Sequence, residues 1–428
     1  MKHYNPLHHT HGPQRLMRIM ARCCLLGSLT GWLFLPAVTM ADDKPLRVPV
    51  IRTSSAVLNQ PSREEFQVLK DRVEFLEEHQ SSILDEMAQR VTLGGYGTVE
   101  FESFSGNRTT FESKLELLVS GQIHDRIRIY NEIDLGVPDG EIKAEQAYVD
   151  FLLAQWINLR GGVLLIPFGK FNLDHFDPRR DLTDRPIVAT QIVPTTWQDL
   201  GVSLFGLIPL SSDLNATYEV QLINGLTNTF SDTKTMTPLP GDGLIPAKTV
   251  LGKDNNGDKA VVGRGTLKFL DQYELGFSGY NGQSSPTSGN RISGYGLDME
   301  LKPRGIPTWE NFEFKGEYSN FQVQGSTAPS RLYGLYAQIN YHFWFASLND
   351  TVFGRRFNNP TFTAVFRYDH AKINTSAGIG NLMADRYTFG LNYRPMENYV
   401  IKAEYEINNG NFARNGFNGV LDSIAWLF

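Results

Sequence analysis

Eight charged side chains crowd into sixteen residues of this 428-residue chain. Lys170, Arg179, Arg180 and Arg185 stand among Asp174, Asp177, Asp181 and Asp184. Set across a narrow water-filled passage, two opposed charge sets make a transverse field that admits hydrated solutes and disfavours apolar ones. On an ordinary surface loop the same residues only hold the loop, at ~0–1 kcal/mol per exposed bridge. Other chemistry is sparse. The histidines His79, His124, His175, His342 and His370 lie in separate segments, and none sits beside a nucleophile motif. No catalytic residue is assigned on that basis. KDNNGD at 253–258 puts its glycine too early for an EF-hand and lacks the distal glutamate. Gly263 and Gly265 follow no strand-to-helix switch and carry no nucleotide signal. No metal and no cofactor is expected.

The composition limits what can position such a charged segment. Hydrophobic residues make up 41% and charged ones 20%, which suits neither a disordered chain nor a helical membrane protein. A net charge of −6 and pI near 5.9 argue against nucleic-acid binding. Aromatics at 12% and 39 glycines favour strands and tight turns. Arg15, Arg18 and Arg22 precede the apolar run CCLLGSLTGWLFL at 23–35, too short to span ~30 Å of hydrocarbon as a helix. Thr39 and Ala41 complete a signal-peptide pattern, so residues 1–41 are expected to be removed. Cys23, Cys24 and the early histidines His3, His8, His9 and His11 would leave with them. The 40 basic residues less Lys2, Arg15, Arg18 and Arg22 leave 36 against 46 acidic ones, a net −10.

A linker, 42–61, leads to a helix at 62–90 that opens on the capping pair Ser62 and Glu65. Phe66, Leu69, Val73, Leu76, Gln80, Ile83 and Met87 repeat at three and four, the seam of a short coiled coil. Glu65 would face Lys70 of a parallel neighbour, and Arg72 would face Glu77. The alternative is a single amphipathic helix lying on the rest of the chain.

From residue 91 onward the period is two. In DRIRIYNEIDLG, residues 125–136, Ile127, Ile129, Ile133 and Leu135 oppose Arg126, Arg128, Tyr130, Glu132 and Asp134. Sixteen such segments centre near residues 98, 115, 130, 148, 161, 203, 219, 265, 276, 297, 315, 338, 366, 389, 403 and 423. Many run ten residues or more, the ~9–11 that a tilted transmembrane strand needs. The expected fold is therefore an all-β transmembrane barrel of about sixteen antiparallel strands over 91–428, preceded by a periplasmic coiled coil. Its inward face would carry Lys114, Arg126, Arg128, Arg264, Lys268, Arg367, Arg386, Arg394 and Lys402, together with Glu132 and Asp134. Residues 167–196 become the third external loop, the candidate constriction. Residues 344–360 are too long for an internal turn and leave the strand count open there.

Two stretches resemble known families. The last strand, LDSIAWLF, alternates Ile424, Trp426 and Phe428, like the closing strand of Gram-negative outer-membrane barrels. The resemblance implies that the barrel-insertion machinery reads this ending as an assembly signal. PFG at 167–169, TDRP at 183–186 and PTTWQDLGV at 194–202 resemble the phosphate-selective porin superfamily and related coiled-coil-bearing porins. That resemblance implies an outer-membrane homotrimer whose third loop narrows each channel. The function expected is passive diffusion of small hydrophilic solutes and ions across the outer-membrane lipid. Acidic residues share the interior with the basic ones, so phosphate selectivity is not carried over, and at most a mild preference for organic anions is expected. The alternatives are a barrel-anchored tether, whose coiled coil grips peptidoglycan or a periplasmic partner, and, more remotely, an outer-membrane enzyme.

Overall fold

The computed structural model describes Lys70 and residues 90–428, except 106–108, 137–139, 229–242, 249–250, 252–253, 255, 326–328, 376–380 and 413–415. The leader, the linker, His79 and the seam residues Phe66, Leu69, Val73, Leu76, Gln80, Ile83 and Met87 lie outside the described residues. Lys70 is helical and exposed.

The alternating segments become sixteen strands: β1 (Val91–Phe104), β2 (Thr110–His124), β3 (Ile127–Leu135), β4 (Ile142–Ala154), β5 (Ile157–Leu165), β6 (Gln198–Pro209), β7 (Leu214–Ile223), β8 (Ala260–Phe269), β9 (Tyr273–Gln283), β10 (Arg291–Leu301), β11 (Phe312–Val323), β12 (Pro329–Phe343), β13 (Thr361–Thr375), β14 (Leu382–Met396), β15 (Tyr399–Gly410) and β16 (Gly419–Leu427). Each pairs antiparallel with its neighbour in sequence, and β1 pairs with β16, so the sheet closes. Every centre expected from the sequence falls inside one of these strands. The 344–360 connection adds no strand: it is a long link between β12 and β13 with one 3-10 turn, Ala346–Leu348.

Closure and alternation together invert the usual distribution of residues. Leu93, Phe111, Val202, Leu275, Phe277 and Phe389 stand exposed on the outer face. Glu116, Asp150, Arg367, Asp369, Arg386, Lys402 and Glu406 are buried inside. No helix among the described residues is long and apolar enough to cross a membrane; strands make this wall. A closed wall suits hydrocarbon because every strand amide finds a partner within the sheet.

The C-terminal residues take part in the closure. Phe428 N–H donates to Gly95 O at 2.9 Å, and Gly95 N–H donates back to Phe428 O at 3.0 Å. The rings of Phe428 and Trp426 lie over Gly95 and Gly97; a Cβ on Gly97 would sit 2.5 Å from the Trp426 ring. Ile424 faces outward beside Val99. Gly97→Leu therefore forces the seam apart, an overpacking of a site with no room. It is expected to leave most of the protein at the unfolded mobility on unboiled SDS gels. Adding Trp426→Ala should restore much of the folded band.

Candidate functional site

The β5–β6 connection, residues 166–197, does not stay at the rim. It enters the barrel and lies against nearly the whole ring of strands. Three features of its sequence make this possible. Gly169 takes φ +72° where a Cβ would strike the Glu317 carboxylate at 2.1 Å, so only glycine turns the chain here. Its N–H donates to Ser278 Oγ at 3.0 Å. Ile166, Phe168, Ile187, Val188, Ile192, Val193 and Trp197 then bury an apolar face against Tyr280, Phe321, Leu332 and Tyr336 of the wall. Val188–Ile192 form a single π-helical turn. Finally, Asn172 ties the loop's two legs together: its Nδ2 donates to Ile166 O and Trp197 O, and its Oδ1 accepts from Trp197 N–H at 2.8 Å.

The loop's charges are mostly committed to the wall. Lys170 pairs with Glu274 at 3.0 Å and with Glu300. Asp181 accepts from Lys315 at 2.7 Å, Asn340 at 2.8 Å and Gln338 at 3.2 Å. Asp184 accepts from Arg386 at 2.6 Å, while its N–H donates to Glu404 at 2.8 Å. Arg180 pairs with Asp177 and donates to Thr183 O at 2.8 Å. Burial alone would raise the pKa of Asp177, but Arg180, with Lys114, Arg185 and Lys402 nearby, holds it well below the ordinary value. Arg185 is half-buried, 3.4 Å from Thr196 Oγ1. Asp174 and Arg179 remain largely exposed, 3.8 Å apart. Of the eight charges expected at a constriction, that exposed pair and Arg185 are the best placed to meet a solute.

The wall residues follow the same rule. Arg128 holds Asp150 at 2.5 Å, and Arg264 holds Asp298 at 2.6 Å and Glu274 at 3.0 Å. Arg367 pairs with Asp369 at 2.8 Å. Arg394 donates to Pro178 O and Lys402 to Asp177 O, each at 2.7 Å. Lys114 pairs with Glu116, and Lys268 sits 3.4 Å from Asp271 of the β8–β9 turn. Arg126, expected on the wall, lies instead in the β2–β3 turn, one residue before β3 begins. A ladder of basic groups that could pass an anion from site to site is therefore not formed by these residues: most of them hold the loop or a neighbouring carboxylate.

His175, at the loop's tip, is fully buried against the opposite wall. Its Nε2 lies 3.0 Å from Glu145 Oε2 and 3.5 Å from Glu132 Oε1. Burial would lower its pKa, but hydrogen bonds to the two glutamates outweigh burial and raise it to about 9. Glu145 reaches this spot through a bulge: Glu132 pairs with Gln146 and Ile133 with Ala144, so Glu145 is the extra residue. A bulge re-aims a side chain, and here Glu145 and Gln146 are both buried toward the loop. His342 stands 2.9 Å from the buried Thr363 Oγ1 and 3.5 Å from Glu313. His370 pairs with Asp385 at 2.9 Å, and His124 ends β2.

Cavities lie on both sides of the loop. One, of about 320 Å³, is bounded by Glu100, Glu102, Glu112, Lys114, Asp134 and Arg185 toward the rim away from the C-terminus. Another, of about 360 Å³, is bounded by Asn158, Leu173, Phe205, Glu219 and Arg264 toward the opposite rim.

The fold is shared with solved structures. OmpF of Salmonella typhi, in complex with daunomycin, matches with a TM-score of 0.53 at 12% identity, covering 79% of this chain and 97% of that one. A loop L8 deletion mutant of OmpT, an outer membrane protein of Vibrio cholerae, gives 0.51 at 10% identity over 79% and 99%. The outer membrane channel DcaP of Acinetobacter baumannii gives 0.50 at 12% over 79% and 97%. The chain has the fold of an outer-membrane porin. In sequence, an uncharacterized protein of Aquifex aeolicus is 24% identical over 351 residues, 75% of this chain and 76% of its own. No family model matches, so the narrower likeness to phosphate-selective porins stays a resemblance of motifs.

Within this porin fold those motifs have a physical reading. PFG turns the loop inward. Thr183 and Asp184 of TDRP bind Glu404 through their amides. Trp197 of PTTWQDLGV fills the apolar contact, and Asp199 accepts from Gly225 N–H at 2.7 Å. The histidine–glutamate cluster was missed by sequence reasoning. Its signal was present in IKAEQAYVDF, where Glu145 and Gln146 break the alternation and shift its phase.

Asp181→Ala removes the common acceptor of three wall side chains, one of them Lys315. Losing one partner of a buried ion pair costs about 3 kcal/mol. Amide exchange over 181–187 should then speed up by roughly 100-fold through local opening. Exchange in the strands should hold, and Asp174→Ala should change neither.

Proposed function

We propose that the protein is an outer-membrane channel through which small hydrophilic solutes and ions diffuse passively. The observation that carries this reading is the inverted barrel with a charged loop lying between two cavities, one of them bounded mostly by charged groups. An apolar exterior suits lipid, and a polar, charge-lined interior suits hydrated solutes. DcaP, which shares the fold, is described as an outer membrane channel, and that agrees with the proposal.

The lining speaks against the anion preference expected from the sequence. Around the 320 Å³ cavity stand Glu100, Glu102, Glu112, Asp134, Asp177 and Asp184, against Lys114, Arg180 and Arg185. Excess carboxylate at a mouth raises the local cation concentration. In planar bilayers with asymmetric KCl, the reversal potential is expected on the cation-selective side. Glu112→Lys, on an exposed wall position, should move it toward zero. Failure of the purified protein to conduct at all would overturn the channel reading, and a reversal potential on the anion side would overturn the assigned bias.

Three copies are proposed to assemble, as the heptad seam and the motif resemblance suggest. Asp422 adds support. It lies on the outer face of β16, flanked by Phe101 of β1 and Ala403 of β15. A lipid-facing charge is destabilising near the bilayer centre, so a neighbouring subunit is the better cover for it. Asp422→Leu should then lower the temperature at which the oligomer dissociates on semi-native gels. A higher dissociation temperature would place this face in lipid instead. Recognition of Ile424, Trp426 and Phe428 by the insertion machinery, and a periplasmic position for the N-terminal helix, complete the proposal.

A further inference from the structure

The cluster at the loop tip gathers three carboxylates. Glu116, Glu132 and Glu145 are buried together, with Lys114 and His175 as paired cations and Arg185 nearby. Glu116 pairs with Lys114 through one oxygen, while its buried Oε2 accepts no hydrogen bond. Glu132 already accepts from Tyr96 at 3.1 Å and Gln146 at 2.5 Å. A buried net charge is costly unless something neutralises it.

The ligand geometry says what would. His175 Nδ1 faces Asn172 O at 3.2 Å, which keeps a proton there, so that loss of the Nε2 proton turns the Nε2 lone pair toward an ion seated between the glutamates. That backbone contact is the usual outer-shell brace of a metal-binding imidazole. Nε2 and one oxygen from each of Glu132 and Glu145 lie within 4.8 Å of one another, and all three residues are buried. Ligands at ~2.1 Å around a tetrahedral ion sit about 3.4 Å apart; the Nε2–oxygen distances here are 3.0 and 3.5 Å. A divalent ion on neutral His175 takes the place of the imidazolium charge between Glu132 and Glu145.

We propose that Glu132, Glu145 and His175 form a binding site for a divalent transition ion of the zinc class, which clamps the tip of the inserted loop to β3 and β4. The ligand set of one nitrogen and two oxygens favours zinc over magnesium, which keeps octahedral oxygen ligands and several waters. Gln146 braces Glu132 from outside the ligand set. Lys114, which lines the acidic cavity, pairs with Glu116 at the edge of the cluster.

The test uses detergent-purified full chain stripped with chelator, with His3, His8, His9 and His11 changed to Gln so that the leader adds no ligands. Calorimetric titration with Zn²⁺ should show one site per chain, and Mg²⁺ should give none. Glu145→Gln should weaken binding by 100-fold or more and Gln146→Ala by about 10-fold. Zinc-edge absorption on the unsubstituted site should show one imidazole with oxygen neighbours, and zinc should slow amide exchange over 172–176. Absence of stoichiometric zinc binding overturns the proposal. So does binding that Glu145→Gln leaves unchanged, or an absorption spectrum without imidazole.

Discussion

Closure of the hydrogen-bonded ring is the constraint on which everything else rests. In hydrocarbon an unpaired amide costs several kcal/mol, so the first and last strands must find each other. The chain meets this with the pairing of β1 and β16 and with the backbone of its final residue, which exchanges two hydrogen bonds with Gly95. Glycines on β1 give the closing aromatic rings room to lie flat. Once the ring is closed, strand alternation settles which side chains face lipid and which face the interior.

The interior then raises a second problem. A loop of thirty-odd residues inside a barrel brings its own amides and carbonyls, and each needs a partner. The wall supplies them with side chains rather than strand edges, because the strands have none to spare. Glu404 accepts two loop amides, Asp369 accepts the Ile187 amide, and Arg394, Asn392 and Lys402 donate to loop carbonyls. Charges that look like a solute pathway in the sequence are largely the fastening of this loop. The selectivity of any passage is left to the residues that this fastening does not consume, and those bordering the 320 Å³ cavity on one side are mostly acidic.

Fastening at many points also gives the loop a definite shape. Its apolar face packs on β8–β14, its acidic turn is held by β11–β16, and its tip reaches back to β3 and β4 through His175. Burial of that imidazole between two glutamates makes sense only if charge is balanced nearby. The side chains that approach it come from four separate strands and the loop.

The strands were legible because a period of two is a local property: alternate residues face alternate sides whatever the neighbours are. Sixteen centres, the closing strand and the inserted loop's limits could all be read from spacing and length. The bulge at Glu145 is legible too, as a break of phase. Arg367 and Lys402 could be placed inside the barrel by the same periodicity, and Lys170 and Asp181 by the position of their loop, but none could be assigned partners. Pairing across a barrel joins residues such as Asp181 and Lys315, 134 positions apart, and no local pattern encodes that distance. Which charges meet a solute and which hold the loop was therefore decided only when the sheet closed and the loop folded into it.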